Sequence, residues 1–316
     1  MIQAAIDIGT VTTRLLIGEL AEDKVKTLAY GNVVTDLGEG LASSSVISDA
    51  ALRRLMKALE KFKGIIAEVE GDLAKRHDAP VVIPVTAIAT SAMRDAKNAQ
   101  EVLAKVLAMG VEVEVISGKR EAELSFKGTL SGFDAFEGNV ISFDVGGGST
   151  EIILGSHRTG IFFSHSFDMG SRRATESFLT SDPPHASQMQ EVRNWLQKHM
   201  APTLAQLPTS SFEVIAVAGT ATSAITIRDK IASYDRNLVH GKQLSALELN
   251  DLISMLAAMS LEQRMQVTGL HPGRAPVIVG GLIILDTLIR AVGKETLMVS
   301  DTDILQGILL QKAAIC

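Results

Sequence analysis

Apolar positions along the chain alternate between two periods. Short apolar runs bounded by turn residues predict strands at Ile2–Asp7, Arg14–Leu20, Val25–Val34, Val81–Val85 and Val111–Ile116. Between them, Leu52, Leu55, Met56, Leu59 and Phe62 recur at helical spacing and predict a long amphipathic helix over Asp49–Arg76. Further helices are expected over Ala99–Met109 and Arg120–Leu130. The second half repeats the plan. Strands are expected at Val140–Asp144, Glu151–Leu154, Gly160–Phe167 and Phe212–Ala218, with a helix around Ser187–Gln206. A strand near Thr296–Ser300 precedes a last helix from Asp303. Strands alternating with helices predict an α/β fold. The most linker-like stretch, Ser181-Asp182-Pro183-Pro184-His185, lies inside the second half and reads as a surface loop.

An internal repeat sharpens the picture. Ala5–Gly18 (AIDIGTVTTRLLIG) aligns without gaps over Ser142–Gly155 (SFDVGGGSTEIILG), at an offset of 144 − 7 = 137. Asp7 falls on Asp144, Gly9 on Gly146, Thr12 on Ser149 and Thr13 on Thr150. A second pair, Val82–Ala92 over Val214–Ala224, has an offset of 214 − 82 = 132. Two ordered matches at nearly equal offset imply a duplicated αβ unit. The expected domains are residues 1–122 and 123–301, with the last helix, 302–316, returning to the first.

Each copy carries an apolar strand ending in Asp, a turn of glycine and hydroxyl residues, and a second apolar strand. Glycine lets backbone N–H groups converge on an anion, because no Cβ blocks the approach. Thr10, Thr12, Thr13, Ser149 and Thr150 add hydroxyl donors. Asp7 and Asp144 would repel a bare phosphate but suit Mg²⁺, which favours carboxylates together with substrate phosphates. DVGGGSTE alone fits an ordinary glycine-turn hairpin as well; its duplicate favours a phosphate clamp. Ala218–Ala224 (AGTATSA) reads as a strand feeding a helix N-terminus, where Gly219 and Thr220 serve either an anion or a cap. Its counterpart, Ala89–Asn98 (ATSAMRDAKN), carries Arg94. Glu121, in Ile116–Glu123 (ISGKREAE), starts a helix, where an acid is common for dipole reasons alone.

Composition narrows the function classes. The 316 residues suffice for two domains, and 46% hydrophobic residues can fill real cores. Lys and Arg number 30 against 36 Asp and Glu, a net charge of −6, so the surface does not suit nucleic acid. Aromatic content of 4% leaves few platforms for base stacking. The one cysteine, Cys316, excludes a multi-Cys zinc site and suits a reducing cytoplasm. The start, MIQAAIDIG, lacks a basic n-region, so no signal peptide is expected. The longest apolar run, Val277–Leu285, stops at Asp286, short of the roughly 20 residues that span a bilayer. These features predict a cytoplasmic protein without membrane partners.

The set DIGT, ATSAMRDAKN, ISGKREAE, FDVGGGSTE, AGTATSA, HPGRAPVIVGG and VSDTDILQG resembles the exopolyphosphatase/guanosine pentaphosphate phosphohydrolase (Ppx/GppA) family in its short two-domain form. The resemblance runs from Ala5 to near the C-terminus. It implies two ribonuclease-H-like domains of the actin-like ATPase superfamily with a cleft between them. It implies hydrolysis of terminal phosphoanhydride bonds of inorganic polyphosphate by Mg²⁺-assisted attack of water, or the same chemistry on guanosine pentaphosphate. Glu121 matches the carboxylate that activates water. Glu151 matches one that helps place water or metal, and Asp144 the magnesium-associated aspartate. Gly146, Gly147, Gly148, Ser149 and Thr150 match the phosphate-holding loop. Asp7, Gly9 and Thr10 match the opposing loop, and Arg94 the basic residue after ATSA. A homodimer is the assembly the resemblance suggests.

Two positions depart from the family pattern. Val11 stands where an Asn is usual, so Val11→Asn is expected to tighten substrate binding; Pro276 replaces an Asp. An ATP-dependent kinase or ATPase, or a non-catalytic phosphate or alarmone sensor, would use the same fold. A carboxylate at Glu121 favours water as acceptor. His240 and His271 stand alone and read as structural or solvent-exposed rather than as metal ligands. Arg172 and Arg173 suit either polyanion guidance or an ordinary helix start.

Overall fold

The computed structural model describes residues 1–21, 24–133, 136, 138–207 and 212–313; Cys316 lies outside them. The chain forms two compact units, residues 1–131 with 304–316, and residues 132–303. The first contains strands β1 (Ile2–Ile8), β2 (Thr12–Ala21) and β3 (Lys24–Val34), then helices α1 (Leu41–Ser44) and α2 (Asp49–His77). Strand β4 (Val85–Ala89), helices α3 (Ser91–Asp95) and α4 (Ala99–Ala108), strand β5 (Val113–Val115) and helix α5 (Gly118–Ser131) follow. The second contains β6 (Asn139–Val145), β7 (Thr150–Ser156), β8 (Gly160–Phe167), α6 (Ser171–Phe178) and α7 (Ala186–Leu204). It continues with β9 (Phe212–Val217), α8 (Ala218–Arg228), β10 (Gln243–Ser245), α9 (Ala246–Ala257), α10 (Leu261–Arg264), α11 (Ile278–Ala291) and β11 (Thr296–Val299). Helix α12 (Ile304–Ala313) belongs to the first unit.

The duplication is visible in strand order. The first sheet runs β3-β2-β1-β4-β5 and the second β10-β11-β9-β6-β7-β8. In the first, β2 is antiparallel to β1 and β3, while β1, β4 and β5 are parallel. In the second, β7 is antiparallel to β6 and β8, while β6, β9 and β11 are parallel. Both are ribonuclease-H-like sheets; β10 adds one antiparallel strand to the second.

Alternation along the strands builds the layers. In the first unit Ala4, Ile6, Ile8, Leu15 and Ile17 join Leu52, Leu55, Leu59 and Phe62 of α2 in one core. Ala5, Leu16 and Ile88 face the other way, onto Leu124 of α5 and Ile304, Leu305, Ile308 and Leu309 of α12. The break between units falls after Ser131 rather than near residue 122, because α5 is one continuous helix packed along α12. In the second unit the apolar run read at Val277–Leu285 becomes α11, a helix buried on nearly all sides. Its buried Asp286 is paired by Arg193 at 3.1 Å and Arg290 at 2.7 Å, which compensates the charge. Among the described residues, no helix is long and apolar enough to cross a membrane.

One predicted strand is misplaced. Val81–Val85 is not a buried strand: pairing begins at Val85, and Val82 is 83% exposed. Pro84 has no N–H for a ladder, and the Ile83 N–H donates to Glu70 Oε1 at 2.8 Å instead. The 4-residue α1 and 3-residue β10 are too short to show a period in the apolar pattern, whereas α3 and α6 follow the helix starts read at Ala89–Asn98 and Arg172-Arg173.

Two outcomes test this packing. Gly307 in α12 sits so close to α5 that a Cβ there would lie 1.9 Å from Leu124 O. Gly307→Ala should therefore loosen α12, read as a lower melting temperature and faster proteolysis of the C-terminal helix. Asp301 accepts a hydrogen bond from the Tyr234 hydroxyl and pairs with Arg236 at 3.4 Å. Burial is the largest influence on it and raises its pKa; Asp303 adds to the rise, while Tyr234, Arg236 and His240 oppose it. A raised folded-state value contributes stability fully present below the unfolded value of about 3.9 and lost as pH rises through the folded one. Asp301→Asn should flatten that decline in a melting-temperature profile across the acid range; an unchanged slope would assign the decline to other groups.

Candidate functional site

Parallel strands of a sheet deliver their C-terminal ends to one edge, where an α/β unit holds ligands. In the first unit, Thr90 N–H donates to Ile8 O at 3.2 Å and Ile116 N–H to Ala89 O at 3.0 Å. The ends of β1, β4 and β5 are thus aligned, with the Gly9–Thr12 turn, α3 and the start of α5 beside them.

In that turn, Gly9 N–H donates to Thr12 O at 3.0 Å, and a Cβ at Gly9 would lie 2.9 Å from the same oxygen. Asp7 is buried, and in register with Arg14, which donates to Asp7 Oδ2 from Nη2 at 2.7 Å and from Nε at 3.2 Å. Thr10 is buried and Thr12 partly so, both within the turn. Thr13 is fully buried and shares a hydrogen bond with Thr35 at 2.8 Å, which sets its hydroxyl inside the unit rather than toward a ligand.

Arg94 and Glu121, read separately from sequence, meet in the structure. Arg94 Nη1 donates to Glu121 Oε2 at 2.8 Å and to Ile116 O at 3.0 Å. Arg94 is set there by α3, and Glu121 by the first turn of α5. Asn98 of the same motif is a brace. Its amide donates to Ile47 O and accepts from Ile47 N–H, both at 2.9 Å.

The second unit repeats the plan with different charges. Gly146 N–H donates to Ser149 O at 3.1 Å, the counterpart of the Gly9–Thr12 bond at the same offset. Asp144 stands in register with Glu151 on the neighbouring strand, and both are buried. Glu151 Oε1 accepts from the Ser166 hydroxyl at 2.7 Å. Thr150 is fully buried and donates to Met169 O at 2.6 Å, matching the inward role of Thr13. Ser149 is buried in the turn beside Gly147 and Gly148. Thr220 donates to Val145 O at 3.2 Å and so ties the start of α8 to the end of β6.

Gly219 explains a residue that the sequence did not single out. The Arg274 guanidinium lies against it: a Cβ there would fall 1.5 Å from Arg274 Nη1. Arg274 thereby sits at the first turn of α8. The HPGR segment carried a signal for it, since His271 Nδ1 accepts from Gly273 N–H at 3.1 Å and shapes the turn that presents Arg274. Burial lowers the His271 pKa, and Arg274 lowers it further. Gly280 and Gly281 of α11 serve close packing, where Cβ atoms would lie 2.8 Å from Thr175 Oγ1 and 2.7 Å from Thr220 Oγ1. His240 is structural, stacked on Phe133 at 4.5 Å and bonded to Gly132 O at 2.8 Å.

Among the described residues, no group of three or more His, Cys, Asp or Glu is gathered as a metal site. Two carboxylates nevertheless fit Mg²⁺, which takes one or two from protein and completes its shell with water and phosphate. Asp144 and Glu151 provide that pair. Asp7 does so less well, because Arg14 already compensates its charge.

The sequence profile of the Ppx/GppA phosphatase family matches residues 16–314, and the chain belongs to that family. It is 33% identical over 326 residues to Exopolyphosphatase 2 of Mycobacterium tuberculosis, covering 98% of both proteins. It is 32% identical over 320 residues to a bifunctional 3-dehydroquinate synthase/phosphatase of Fusobacterium nucleatum; that match covers 98% of this chain but 46% of the longer protein. Among solved structures, the Ppx/GppA family member of Aquifex aeolicus aligns with a TM-score of 0.79 and 26% identity, covering 100% of this chain and 98% of that one.

The structure reverses the expectation for Val11. Its side chain is only 6% exposed, and its carbonyl accepts from Thr35 N–H at 3.1 Å and Asp36 N–H at 2.8 Å. Val11→Asn should bury an amide at a cost of about 1–3 kcal/mol and leave substrate affinity unimproved. Denaturant melts and KM together check this; a tighter KM at unchanged stability would restore the phosphate-contact reading.

Proposed function

We propose that this protein hydrolyses terminal phosphoanhydride bonds of inorganic polyphosphate with a divalent metal, Mg²⁺ fitting best. The observation that carries the reading is the buried in-register pair Asp144 and Glu151 beside the Gly146–Ser149 turn. Like charges directly opposite one another on neighbouring strands oppose folding. Asp144 and Glu151 would hold a divalent cation there, which would offset their charges beside a turn that binds phosphate. The exopolyphosphatase matched over nearly its whole length supports the same substrate class.

The chain's own residues divide the work. Asp144 and Glu151 would hold the metal, which when bound polarises a phosphoryl oxygen as a Lewis acid. Backbone N–H groups of Gly147, Gly148 and Ser149 bind equatorial phosphoryl oxygens, where phosphoryl transfer concentrates its charge. Those of Gly9 and Thr10 act likewise in the first unit. Glu121 accepts the proton of the attacking water, and Arg94 orients its carboxylate through the 2.8 Å ion pair. Arg274, beside Gly219 at the start of α8, adds positive charge for a polyanion. Guanosine pentaphosphate offers the same terminal phosphoanhydride and is the second substrate to test.

Phosphate release from polyphosphate, guanosine pentaphosphate and ATP, with and without Mg²⁺, tests the reading. Metal-dependent release from polyphosphate is expected. Transfer of phosphate from ATP to a second acceptor, or no turnover on any of the three, would overturn it. Glu121→Gln keeps size and hydrogen bonding but removes the proton acceptor. It should lower kcat by ~10²–10⁴-fold with KM largely kept. Near wild-type turnover would reduce Glu121 to an ordinary helix-start acid.

A further inference from the structure

The carbonyls of the second unit's glycine turn are tied from behind by one short helix. Gly146 O accepts from Ser171 N–H at 2.9 Å. Gly147 O accepts from Arg172 N–H at 2.8 Å and Arg173 N–H at 3.4 Å. Gly148 O accepts from the side-chain Nε of Arg173 at 3.3 Å. Three consecutive carbonyls are therefore fixed by the first three residues of α6. Gly170 makes this approach feasible: a Cβ there would lie 2.4 Å from Gly147 C and O and 2.6 Å from Gly148 C.

A trans peptide is planar, with its C=O and the following N–H pointing in opposite directions. Fixing the carbonyls of Gly146, Gly147 and Gly148 toward α6 therefore aims the N–H groups of Gly147, Gly148 and Ser149 away from it. A tight hairpin would ordinarily close Ser149 N–H onto Gly146 O. Here Ser171 occupies that oxygen, and among the described residues none of the three N–H groups donates to a backbone carbonyl. Successive N–H groups aimed to one side form an anion-binding concavity.

The first unit reaches the same result with unrelated residues. Thr10 O accepts from Gly38 N–H at 2.9 Å, and Val11 O from Thr35 and Asp36 N–H. Thr10 and Val11 lie at the repeat offset from Gly147 and Gly148. In both units the segment following the third strand backs the turn. Its recurrence with different donors singles out carbonyl fixation as the shared element.

We propose that Arg173 and Gly170 are positioning residues for phosphoryl binding: they act through the turn's carbonyls to aim three N–H groups at the anion, and Arg173 does so by its Nε donor rather than by its charge. This rests on the phosphoanhydride reading for the identity of the anion.

Arg173→Leu removes both donor and charge. Arg173→Gln removes the charge but places an Nε2 donor at the same distance along the side chain. Amide shifts of Gly147, Gly148 and Ser149 are followed by NMR as tripolyphosphate is added, with kinetics on polyphosphate in parallel. In the wild type all three amides should move. Arg173→Leu should weaken tripolyphosphate binding and raise KM by roughly tenfold, with a much smaller change in kcat, and Arg173→Gln should restore both. Gly170→Ala should shift the turn and abolish the amide response; if it does not fold, the two Arg173 variants decide. Gln as weak as Leu would make charge the active property, and unchanged affinity in both would remove Arg173 from binding; either overturns the inference. Wild-type amides that respond to tripolyphosphate without release of phosphate would end the hydrolase reading and leave the oriented turn standing. Wild-type hydrolysis with those amides unmoved would end the inference and leave hydrolysis standing.

Discussion

A hairpin turn must satisfy its own polar groups, and where they go decides what the turn can bind. In each unit the turn's first N–H closes onto the carbonyl three residues on, Gly9 to Thr12 and Gly146 to Ser149. Its middle carbonyls go backward to the segment after the third strand. That leaves the middle N–H groups at the edge where the parallel strands end. The ribonuclease-H-like sheet supplies this edge twice, because β1 and β6 each end beside one parallel neighbour, β4 and β9, and turn into an antiparallel one, β2 and β7.

Much of this was legible in the sequence. The repeat at offset 137 marks both turns, both aspartates and a duplicated αβ unit. What escaped were properties set by tertiary partners. Thr13 and Thr150 look like two more phosphate donors, yet both hydroxyls point inward, to Thr35 and to Met169 O. A one-dimensional pattern does not tell the inward from the outward residue of a turn. Val81–Val85 has the composition of a strand, but Pro84 moves the start of pairing to Val85. Arg94 and Glu121 are separated by 27 residues, and only the alignment of β4 with β5 brings them together. The contribution of α6 was least visible, because it acts through main-chain carbonyls that leave no residue-type signature.

The two copies also differ in a way that bears on chemistry. At the repeat offset Arg14 corresponds to Glu151, and each stands in register with its unit's aspartate. A duplication that preserved backbone geometry therefore changed the sign of one charge. In the first unit the pair is internally neutral: Asp7 is held by Arg14 at 2.7 Å and contributes no excess charge at the turn. In the second, two carboxylates share one buried cross-strand position, an arrangement that favours a cation.

Under the proposed function, that asymmetry gives two similar turns different work. A phosphate chain carries negative charge along its length, so a turn flanked by two carboxylates opposes it more than a turn beside an Asp–Arg pair does. The proposed function has the first unit contact phosphate directly, with the Arg94–Glu121 ion pair at the same sheet edge. On the same proposal the second unit would take phosphate together with a divalent ion, since two carboxylates attract a cation and repel a bare anion. Had both copies kept an Arg opposite the aspartate, neither would offer a metal its two carboxylates. Had both kept a Glu, each turn would require its own cation before accepting substrate. The duplicated backbone thus carries one neutral and one acidic cross-strand pair, and the difference lies in a single position of each repeat.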